Sequence, residues 1–352
     1  MRIGIPREIK TLEGRVGLIP YAAAELVRQG HQLFLEQGAG LASGYSDEEY
    51  RALGVEIVAD ATALYGGVQM VIKVKEPQPA EWPLLRRDHL LFCYLHLAAE
   101  PALTKALLDI GLTGVAFETI SEHGLLPALA PMSDIAGRLA VQVGANLLQR
   151  PHGGKGILLG GLPAAPRGHV VILGAGVAGS NAAFMASAMG AHVTIFDHHR
   201  DRLAAMRALG GNVTALYPYA DALEDAVLRA DLLVGAVLLP GARAPHLVSA
   251  DTVRRMGNGS VIVDISVDQG GCIETTRPTT WAEPTFVWEG KIHFGVTNMP
   301  GAVPRSASQA LSAAILPYAQ HLAAGGWEGN PALAAGVNVR GGELVLEALK
   351  RV

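Results

Sequence analysis

The sequence is poor in cysteine and in charge. Only two cysteines occur, Cys93 and Cys272, and they form no C-x-x-C pair. This excludes a disulfide framework and favours reduced thiols in a cytoplasmic protein. Charged residues make up 17% of the chain and the formal net charge is −4, without any block of Lys and Arg. Nucleic-acid binding needs such a block, so we expect no nucleic-acid partner.

Long apolar runs are also missing from the sequence. The most apolar candidate, 307–324, contains Gln309, Pro317, Gln320 and His321. It falls short of the roughly 20 apolar residues that a membrane helix requires. The N-terminal MRIGIPREIK carries charges where a signal peptide has an apolar stretch. These features predict a soluble, cytoplasmic protein with no membrane partner.

Hydrophobic residues and glycine, by contrast, are abundant. Half of the 352 residues are hydrophobic, and the 42 glycines suit a fold with many turns between strands and helices. A chain of this length usually divides into two domains. Short apolar runs alternate with amphipathic stretches, which is typical of α/β architecture with parallel sheets.

This alternation predicts individual elements and a division of the chain. We expect strands at 2–5, 32–36, 69–74, 90–95, 114–117, 192–196, 232–237, 260–265 and 292–296, and helices at 20–29, 47–53, 60–65, 101–110, 306–324 and 343–350. The stretch 133–149 indicates one long helix, capped by Ser133, that connects two domains. We therefore predict an α/β fold with two Rossmann-like, doubly wound parallel-sheet domains and a cleft between them. Residues 1–130 plus 303–352 would form the substrate domain, and 131–302 the cofactor domain.

A glycine-rich turn in mid-chain predicts dinucleotide binding. In VVILGAGVAGSNAA an apolar strand leads into Gly174-Ala-Gly176-Val-Ala-Gly179 and then into a helix of small residues. In such a turn the first glycine permits the tight bend, the second lets a pyrophosphate approach the backbone, and the third lets helix and strand pack closely. The helix N-terminus offers N–H donors to the phosphates.

Asp197, which closes HVTIFD, stands at the spacing expected for a ribose-binding carboxylate. A carboxylate there accepts hydrogen bonds from a ribose diol and repels a 2′-phosphate, so it favours NAD over NADP. The simpler alternative is an exposed turn aspartate. His198, His199 and Arg200 follow directly, and their charge could weaken the discrimination against NADP.

Polar side chains follow several of the expected strands. Arg15 lies after the first strand, Lys75 follows MVIKV, His96 follows LLFCYL, Asp268 follows SVIVDIS and Asn298 follows IHFGV. In open α/β sheets, ligands bind beyond the carboxyl ends of the strands. Each residue alone has a simpler explanation, as a solvated charge, a structural histidine or a turn residue. Their shared position makes them candidates for one site.

Together these residues form a chemical set. Arg15 and Lys75 could hold a small carboxylate, because a guanidinium grips both oxygens. His96 has a pKa suited to proton exchange near neutrality. Asp268 would come from the cofactor domain. With a nicotinamide, this set suggests hydride removal from the carbon beside a carboxylate, in a 2-amino or a 2-hydroxy acid.

The sequence resembles the bacterial alanine dehydrogenases over its whole length. The resemblance is carried by GIPREIKTLEGRVGLIP, VIKVKEPQPAEW, PMSDIAGRLAVQVGA, DISVDQGGCIETTRPTTW and VTNMPGAVPRSAS. A related family is the NAD-binding part of proton-translocating transhydrogenase. The resemblance implies oxidative deamination of L-alanine to pyruvate and ammonia with NAD, the reverse reaction, and a homohexamer.

The resemblance also implies roles for individual residues. Arg15 and Lys75 match substrate-binding residues, and His96 and Asp268 match acid/base residues. The positions that match cofactor contacts are Ser133, Gly174, Gly176, Val177, Ala178, Gly179, Asp197, Arg202, Val237, Leu238, Ile265, Val267, Asp268, Arg277, Val296, Asn298 and Met299. Some relatives bind a metal through an acidic residue and a histidine of the closing helix. The matching positions here are His321 and Gly325, so we expect no metal.

Some positions depart from the family pattern. Gly17 and Ile19 stand where alanine and threonine are usual, beside the carboxylate-binding arginine, and Thr297 and Gly301 replace alanines. Another small amino acid, such as glycine or serine, therefore stays open as substrate. A second hypothesis is an NAD(H)-binding subunit of transhydrogenase type, but LPALAPMSD stands where transhydrogenases carry a loop with Arg and Gln. A non-catalytic NAD-binding module is disfavoured because the whole catalytic set is present.

Overall fold

The computed structural model describes residues 1–237 and 245–351. The elements up to residue 147 are, in chain order, β1 (Arg2–Ile5), α1 (Pro20–Arg28), β2 (Gln32–Glu36), α2 (Asp47–Arg51), β3 (Glu56–Val58), α3 (Ala61–Gly67), β4 (Met70–Ile72), β5 (Leu90–Cys93), α4 (Pro101–Ile110), β6 (Thr113–Ala116) and α5 (Ala130–Leu147). The elements from residue 169 onward are β7 (His169–Leu173), α6 (Val177–Ala188), β8 (His192–Phe196), α7 (Arg200–Arg207), β9 (Val213–Leu216), α8 (Ala220–Leu228), β10 (Leu232–Gly235), α9 (Ala250–Arg255), β11 (Val261–Asp264), β12 (Thr285–Trp288), β13 (Lys291–Phe294), α10 (Pro304–Ala324), α11 (Pro331–Gly336), β14 (Val337–Arg340) and β15 (Glu343–Leu344). Cys93 and Cys272 are both buried and free.

The chain forms two compact units. The first comprises Met1–Met132 and Gly301–Val352, and the second comprises Ser133–Pro300. The first unit contains an eight-stranded sheet in the order β15-β14-β6-β5-β4-β1-β2-β3. Its strands β1 to β6 are parallel to one another. At one edge β14 pairs antiparallel with β6, and β15 pairs antiparallel with β14. The parallel strands follow the doubly wound order 3-2-1-4-5-6, which reverses between β1 and β4.

The second unit repeats this topology. Its seven-stranded sheet has the order β12-β13-β11-β10-β7-β8-β9. Only β12 runs antiparallel among the pairs of this sheet that the described residues form. The order β9-β8-β7-β10-β11-β13 is again doubly wound, and it reverses between β7 and β10. The predicted α/β fold with two mostly parallel sheets is therefore confirmed.

Local sequence chemistry explains where several helices begin and end. Ser46 begins α2 with a reciprocal capping box, in which its side chain accepts from the Glu49 N–H while the Glu49 carboxylate accepts from the Ser46 N–H. The Asp60 side chain accepts from the N–H of Ala63 at the start of α3. Gly111 ends α4 in the left-handed conformation, with φ of 75°, which glycine adopts at little cost.

Two of the predicted helices differ from the structure. The helix predicted for 133–149 begins at Ala130, so Ser133 lies inside it and is not its cap. Pro131 fits the first turn because the N–H groups there have no partner within the helix. The helix predicted for 343–350 is wrong. Gly341 and Gly342, both with positive φ, form a two-residue hairpin turn that pairs β15 with β14.

No described helix is long and apolar enough to cross a membrane.

A buried lysine lies just beyond the carboxyl end of β4. The side chain of Lys73 is fully buried, and its Nζ is 3.2 Å from Glu8 Oε2 and 3.1 Å from Glu81 Oε2. The two carboxylates raise the pKa of Lys73, although burial alone would lower it. Glu81 also accepts a hydrogen bond of 2.8 Å from the Tyr65 hydroxyl. This ion-pair cluster ties the segment after β4 to the segment after β1.

Lys73→Met should strongly destabilise the protein. The substitution leaves Glu8 and Glu81 buried without their shared cation, which typically costs about 3–5 kcal/mol. A urea titration followed by circular dichroism measures the free energy of unfolding. The control is Lys105→Met, which breaks an exposed pair with Asp109 and should change stability by less than about 1 kcal/mol. Equal effects of the two substitutions would contradict the role of the buried cluster.

Candidate active site

The first unit brings three predicted site residues to the carboxyl ends of neighbouring strands. Arg15 follows β1, Lys75 follows β4 and His96 follows β5. The sheet reverses its order between β1 and β4, which is where doubly wound sheets bind ligands. The charges of Lys75 and Arg15 contribute to the lowered pKa of His96, so the three side chains lie near one another.

Arg15 is held by the carboxylate of Glu13. The Arg15 side chain is buried, with Nε donating to Glu13 Oε1 at 2.7 Å and Nη2 donating to Oε2 at 2.5 Å. Burial alone would lower the pKa of Arg15, but the hydrogen bonds and charge of Glu13 raise it. The guanidinium therefore stays charged, and this two-point contact fixes its plane. Nη1 also lies 3.1 Å from the sulfur of Met132.

Lys75 lies beside a nearly buried carboxylate, that of Glu76. Lys75 Nζ is 3.3 Å from Glu76 Oε2, and Lys10 Nζ donates to Glu76 Oε1. Burial opposes ionisation of Glu76, but the charge of Lys75 and the hydrogen bond from Lys10 outweigh it and lower the pKa of Glu76 to about 2. Glu76 is thus an anion placed between two lysines.

His96 has a backbone conformation that is unusual for a residue with a side chain. Its φ is 52°, in the left-handed region that is costly without a structural reason. The Glu118 carboxylate provides that reason, because it accepts hydrogen bonds from the N–H groups of His96 at 2.7 Å and Leu95 at 3.1 Å. Tyr94 packs edge-on against the imidazole, with ring centroids 5.7 Å apart.

The imidazole of His96 is covered on one side and open on the other. The side chain is 37% exposed, whereas Nδ1 is covered and has no hydrogen-bond partner. The accessible part of the ring therefore lies toward the edge that carries Nε2. Desolvation by neighbouring residues and the charge of Lys75 lower the pKa of His96 to about 3. The ring is neutral at physiological pH and can accept a proton.

The second unit contains the glycine turn between β7 and α6. Gly174 has φ of 95°. A Cβ at Gly179 would lie 1.8 Å from the Gly174 carbonyl oxygen, whereas a Cβ at Gly176 would meet nothing within 4 Å. Gly174 and Gly179 are therefore required by the bend itself. The backbone at Gly176 faces open space, as the approach of a pyrophosphate requires.

Asp197 lies at the carboxyl end of β8, beside this turn. Its Oδ2 accepts the Ala175 N–H at 2.8 Å, and its Oδ1 accepts the His199 N–H at 2.8 Å. Burial opposes ionisation, but these backbone donors outweigh it and lower the pKa of Asp197. The His199 ring and Arg202, 3.6 Å away, also contact the carboxylate. Asp197 is an anion fixed at the end of β8, the position from which a carboxylate contacts the ribose diol in dinucleotide-binding units.

The other predicted cofactor residues lie mostly around the same edge of the second sheet. Those beyond the carboxyl ends of β10, β11 and β13 are Val237, Ile265, Val267, Asp268, Val296, Asn298 and Met299. Val267, Val296 and Met299 are buried, each 3% exposed. Asp268 is exposed within a short 3₁₀ turn. The Asn298 carbonyl accepts the Trp281 indole N–H at 3.1 Å.

The remaining predicted cofactor residues occupy helices and loops. Val177 and Ala178 begin α6, and Val177 is exposed. Ser133 lies one turn before Gly137 in α5, and a Cβ at Gly137 would collide with the Ala178 carbonyl oxygen. The Arg277 guanidinium lies over the Phe286 ring, 4.4 Å from its centroid. Leu238 lies outside the described residues.

Sequence reasoning missed the carboxylates that support the first-unit site. Glu13 stands two residues before Arg15, and Glu76 directly follows Lys75. An acidic residue close in sequence to each predicted cation could have indicated these ion pairs. Glu118 lies 22 residues from His96 in the chain, and no spacing rule connects the two. Its position after the next parallel strand, β6, was the only hint.

These features define a class of protein: a two-unit α/β protein in which the second unit has the topology and the glycine turn of a dinucleotide-binding domain. Comparison with known families is more specific. The family "Alanine dehydrogenase/PNT, N-terminal domain" matches residues 4–136, and "Alanine dehydrogenase/PNT, C-terminal domain" matches residues 140–347. The chain belongs to the alanine dehydrogenase/PNT family, as the sequence resemblance predicted.

Individual relatives agree with this assignment. The chain is 48% identical to the alanine dehydrogenase of Bacillus subtilis (strain 168), with 100% of this chain and 94% of the relative covered. A solved structure of an L-alanine dehydrogenase matches with a TM-score of 0.96 and 50% identity, covering 100% of this chain and 98% of that one. The transhydrogenase of Sinorhizobium meliloti matches with a TM-score of 0.85 and 25% identity, covering 99% and 100%.

The lowered pKa of His96 leads to a titration prediction. Because the pKa lies near 3, the ring of the ligand-free protein should stay neutral between about pH 5 and about pH 8, where an unperturbed histidine gains a proton. NMR of the ring protons, assigned with His96→Gln, measures this. The same sample unfolded in urea should titrate normally. An inflection for folded His96 within that range would contradict the prediction.

Proposed function

We propose that this protein is an NAD-dependent L-alanine dehydrogenase. It converts L-alanine, water and NAD to pyruvate, ammonia, reduced cofactor and a proton, and it catalyses the reverse reaction. The observation that carries the proposal is the 48% identity to an alanine dehydrogenase over the whole chain. The grouping of Arg15, Lys75 and His96 at one edge of the first sheet supports it, because these residues fit a carboxylate-bearing substrate.

The second unit fits NAD as the hydride acceptor. The open space at Gly176 leaves room for a pyrophosphate against the backbone, and the N-terminus of α6 supplies N–H donors. The anionic Asp197 suits a ribose diol and disfavours a 2′-phosphate. When bound, NAD accepts the hydride that leaves the α-carbon of the amino acid. Asp268 and the residues after β10, β11 and β13 complete the proposed set of contacts.

Arg15 and Lys75 are the proposed substrate-binding residues. Arg15 binds the carboxylate, because a planar guanidinium donates two parallel hydrogen bonds to it. The contact with Glu13 holds the guanidinium plane before substrate arrives, so little entropy is lost on binding. Lys75 binds the oxygen that becomes the carbonyl of pyruvate. As a cation it stabilises negative charge on that oxygen.

His96 is the proposed acid/base residue, with Asp268 as the second. After hydride transfer, His96 removes a proton from the water that attacks the iminium carbon. It returns this proton to the amine, which leaves as ammonia, while the hydroxyl proton is lost to solvent as the carbonyl forms. A pKa near 3 alone would make the imidazole a weak base. The substrate carboxylate adds negative charge beside Lys75 and Arg15, the cations that lower this pKa, and therefore raises it toward the working pH.

The proposed oligomeric state and the alternative function both rest on similarity to known proteins. Alanine dehydrogenases suggest a homohexamer in the cytoplasm, and we propose the same here. We propose no metal, because His321 and Gly325 stand where some relatives carry an acidic and a histidine ligand. The alternative is an NAD(H)-binding subunit of transhydrogenase type, which 25% identity over nearly the whole chain keeps open. Such a subunit would bind NAD(H) without oxidising amino acids, so a single assay separates the two functions.

Purified protein with NAD and L-alanine at alkaline pH should form reduced cofactor, followed by its absorbance. Glycine and L-serine test the effect of Gly17 and Ile19, and D-alanine is the stereochemical control. His96→Ala should abolish turnover because it removes the base that activates water, while NAD still binds in a fluorescence titration. The proposal fails if no small L-amino acid reduces NAD. Full activity of His96→Ala would remove the acid/base assignment.

Asp197→Ala should weaken NAD binding by about 10- to 100-fold, the value of hydrogen bonds to a charged acceptor. The dissociation constant is measured by isothermal titration calorimetry. Asp201→Ala is the matched control, because it removes the same charge from an exposed position on α7. Identical constants for the two variants would argue against the ribose contact.

A further inference from the structure

We propose that Glu76 is the positioning residue of His96: its Oε2 accepts a hydrogen bond from Nδ1–H of the imidazole and so keeps Nε2 unprotonated as the base. The inference rests on the proposed function, in which His96 is the acid/base residue. It assigns to Glu76 a role separate from its ion pairs with Lys10 and Lys75.

Two buried atoms that lack hydrogen bonds carry the argument. Among the described residues, Glu76 Oε2 and His96 Nδ1 are two of only three buried side-chain polar atoms without a hydrogen-bond partner. They lie 3.8 Å apart. Buried polar groups are almost always hydrogen-bonded, because an unmet donor or acceptor costs free energy. Glu76 Oε2 has Lys75 Nζ as an ion-pair neighbour at 3.3 Å, but neither Oε2 nor Nδ1 has a hydrogen bond, and each atom offers the other the bond it lacks.

The distance between Glu76 Oε2 and His96 Nδ1 is only slightly longer than a hydrogen bond. A hydrogen bond needs the two atoms about 1 Å closer, and the proposal requires a rotation of the imidazole that brings them together. Catalytic hydrogen bonds are often long in ligand-free structures and shorten in the reactive complex. The backbone of His96 does not have to move, because Glu118 holds it through the His96 N–H at 2.7 Å. Glu118 thus fixes the main chain, and Glu76 acts on the ring.

The surrounding charges make Glu76 the suitable acceptor. The groups that act on His96 electrostatically include the cations Lys75, Lys10 and Arg15, which disfavour its protonation, and the anion Glu76, which favours it. Glu76 is 3% exposed, so water screens its charge little. When His96 takes up a proton during the reaction, this carboxylate stabilises the imidazolium.

The tautomer matters because only one edge of the ring is accessible. Nδ1 is covered, so a base at this position has to use Nε2. A neutral imidazole has one N–H, and the hydrogen bond made by the covered nitrogen decides which nitrogen carries it. An ionised carboxylate can only accept a hydrogen bond. Glu76 therefore selects the Nδ1–H tautomer and leaves the Nε2 lone pair for the proton of the attacking water.

The test reads the tautomer directly in ligand-free protein by long-range ¹H–¹⁵N NMR with ¹⁵N-histidine. Wild type should show His96 protonated at Nδ1. In Glu76→Gln, the neutral amide no longer attracts the Nδ1 proton as a carboxylate does, so the Nδ1–H tautomer should lose population to the Nε2–H tautomer. In this variant kcat should also fall by about tenfold or more. A wild-type Nε2–H tautomer, or an unchanged tautomer in Glu76→Gln, would overturn the inference.

Lys10→Met is the matched control, because it breaks the ion pair with Glu76 but leaves Oε2 in place. It should keep the Nδ1–H tautomer and a kcat within about threefold of wild type. A tautomer change in this variant would assign the effect to the ion pair and contradict the proposal.

If Glu76→Gln does not fold, Glu76→Asp replaces it. The shorter side chain places the carboxylate farther from Nδ1, so this variant should show a mixture of the two tautomers. If the alanine assay fails, the NMR experiment still reports the tautomer of His96 in ligand-free protein. The two proposals can therefore fail separately.

Discussion

The carboxylate of Glu8 fixes the segment on which the candidate site of the first unit is built. It pairs with the buried Lys73 and accepts the N–H groups of Val74 at 2.6 Å and Lys75 at 3.3 Å. The main chain after β4 is therefore tied to the segment after β1, on the two strands between which the sheet reverses its order. The side chains of Lys75 and Glu76 begin from a backbone that cannot shift freely.

The site is also balanced electrostatically in the absence of ligand. Arg15 is paired with Glu13 and Lys75 with Glu76, so each cation has an acid nearby in the sequence. These pairs orient the cations, and they reduce the reorganisation needed to bind the carboxylate of the proposed substrate. An added negative charge then changes the balance around His96 in the direction that makes it a better base.

Features that depend on local pattern could be predicted from the sequence. Parallel strands appear as continuous apolar runs, so the polar residues that end them, such as Lys75 and His96, were identifiable. The glycine turn was identifiable because each glycine has a steric requirement in the bend. The support that Glu118 gives to His96 could not be predicted, because it depends on how two neighbouring strands align and not on spacing along the chain.

The errors have equally local causes. Ser133 is a favourable helix cap, but Pro131 suits the first turn as well, and the helix extends to include both. The residues after 342 have good helix propensity, yet the Gly341-Gly342 pair favours a hairpin turn, and β15 pairs with β14 at the sheet edge. The antiparallel edge strands were missed because a short strand offers too few residues for a period to be recognised.

The left-handed backbone conformation of His96 sets the stability of the fold against the proposed chemistry of this residue. A glycine would adopt the same φ without steric cost, so stability alone would not place an imidazole there. The protein accepts local strain at the end of β5 and offsets it with the buried carboxylate of Glu118. Under the proposed function, position 96 is a point where the demands of folding and of chemistry diverge, and the residue present is the one that the proposed reaction needs.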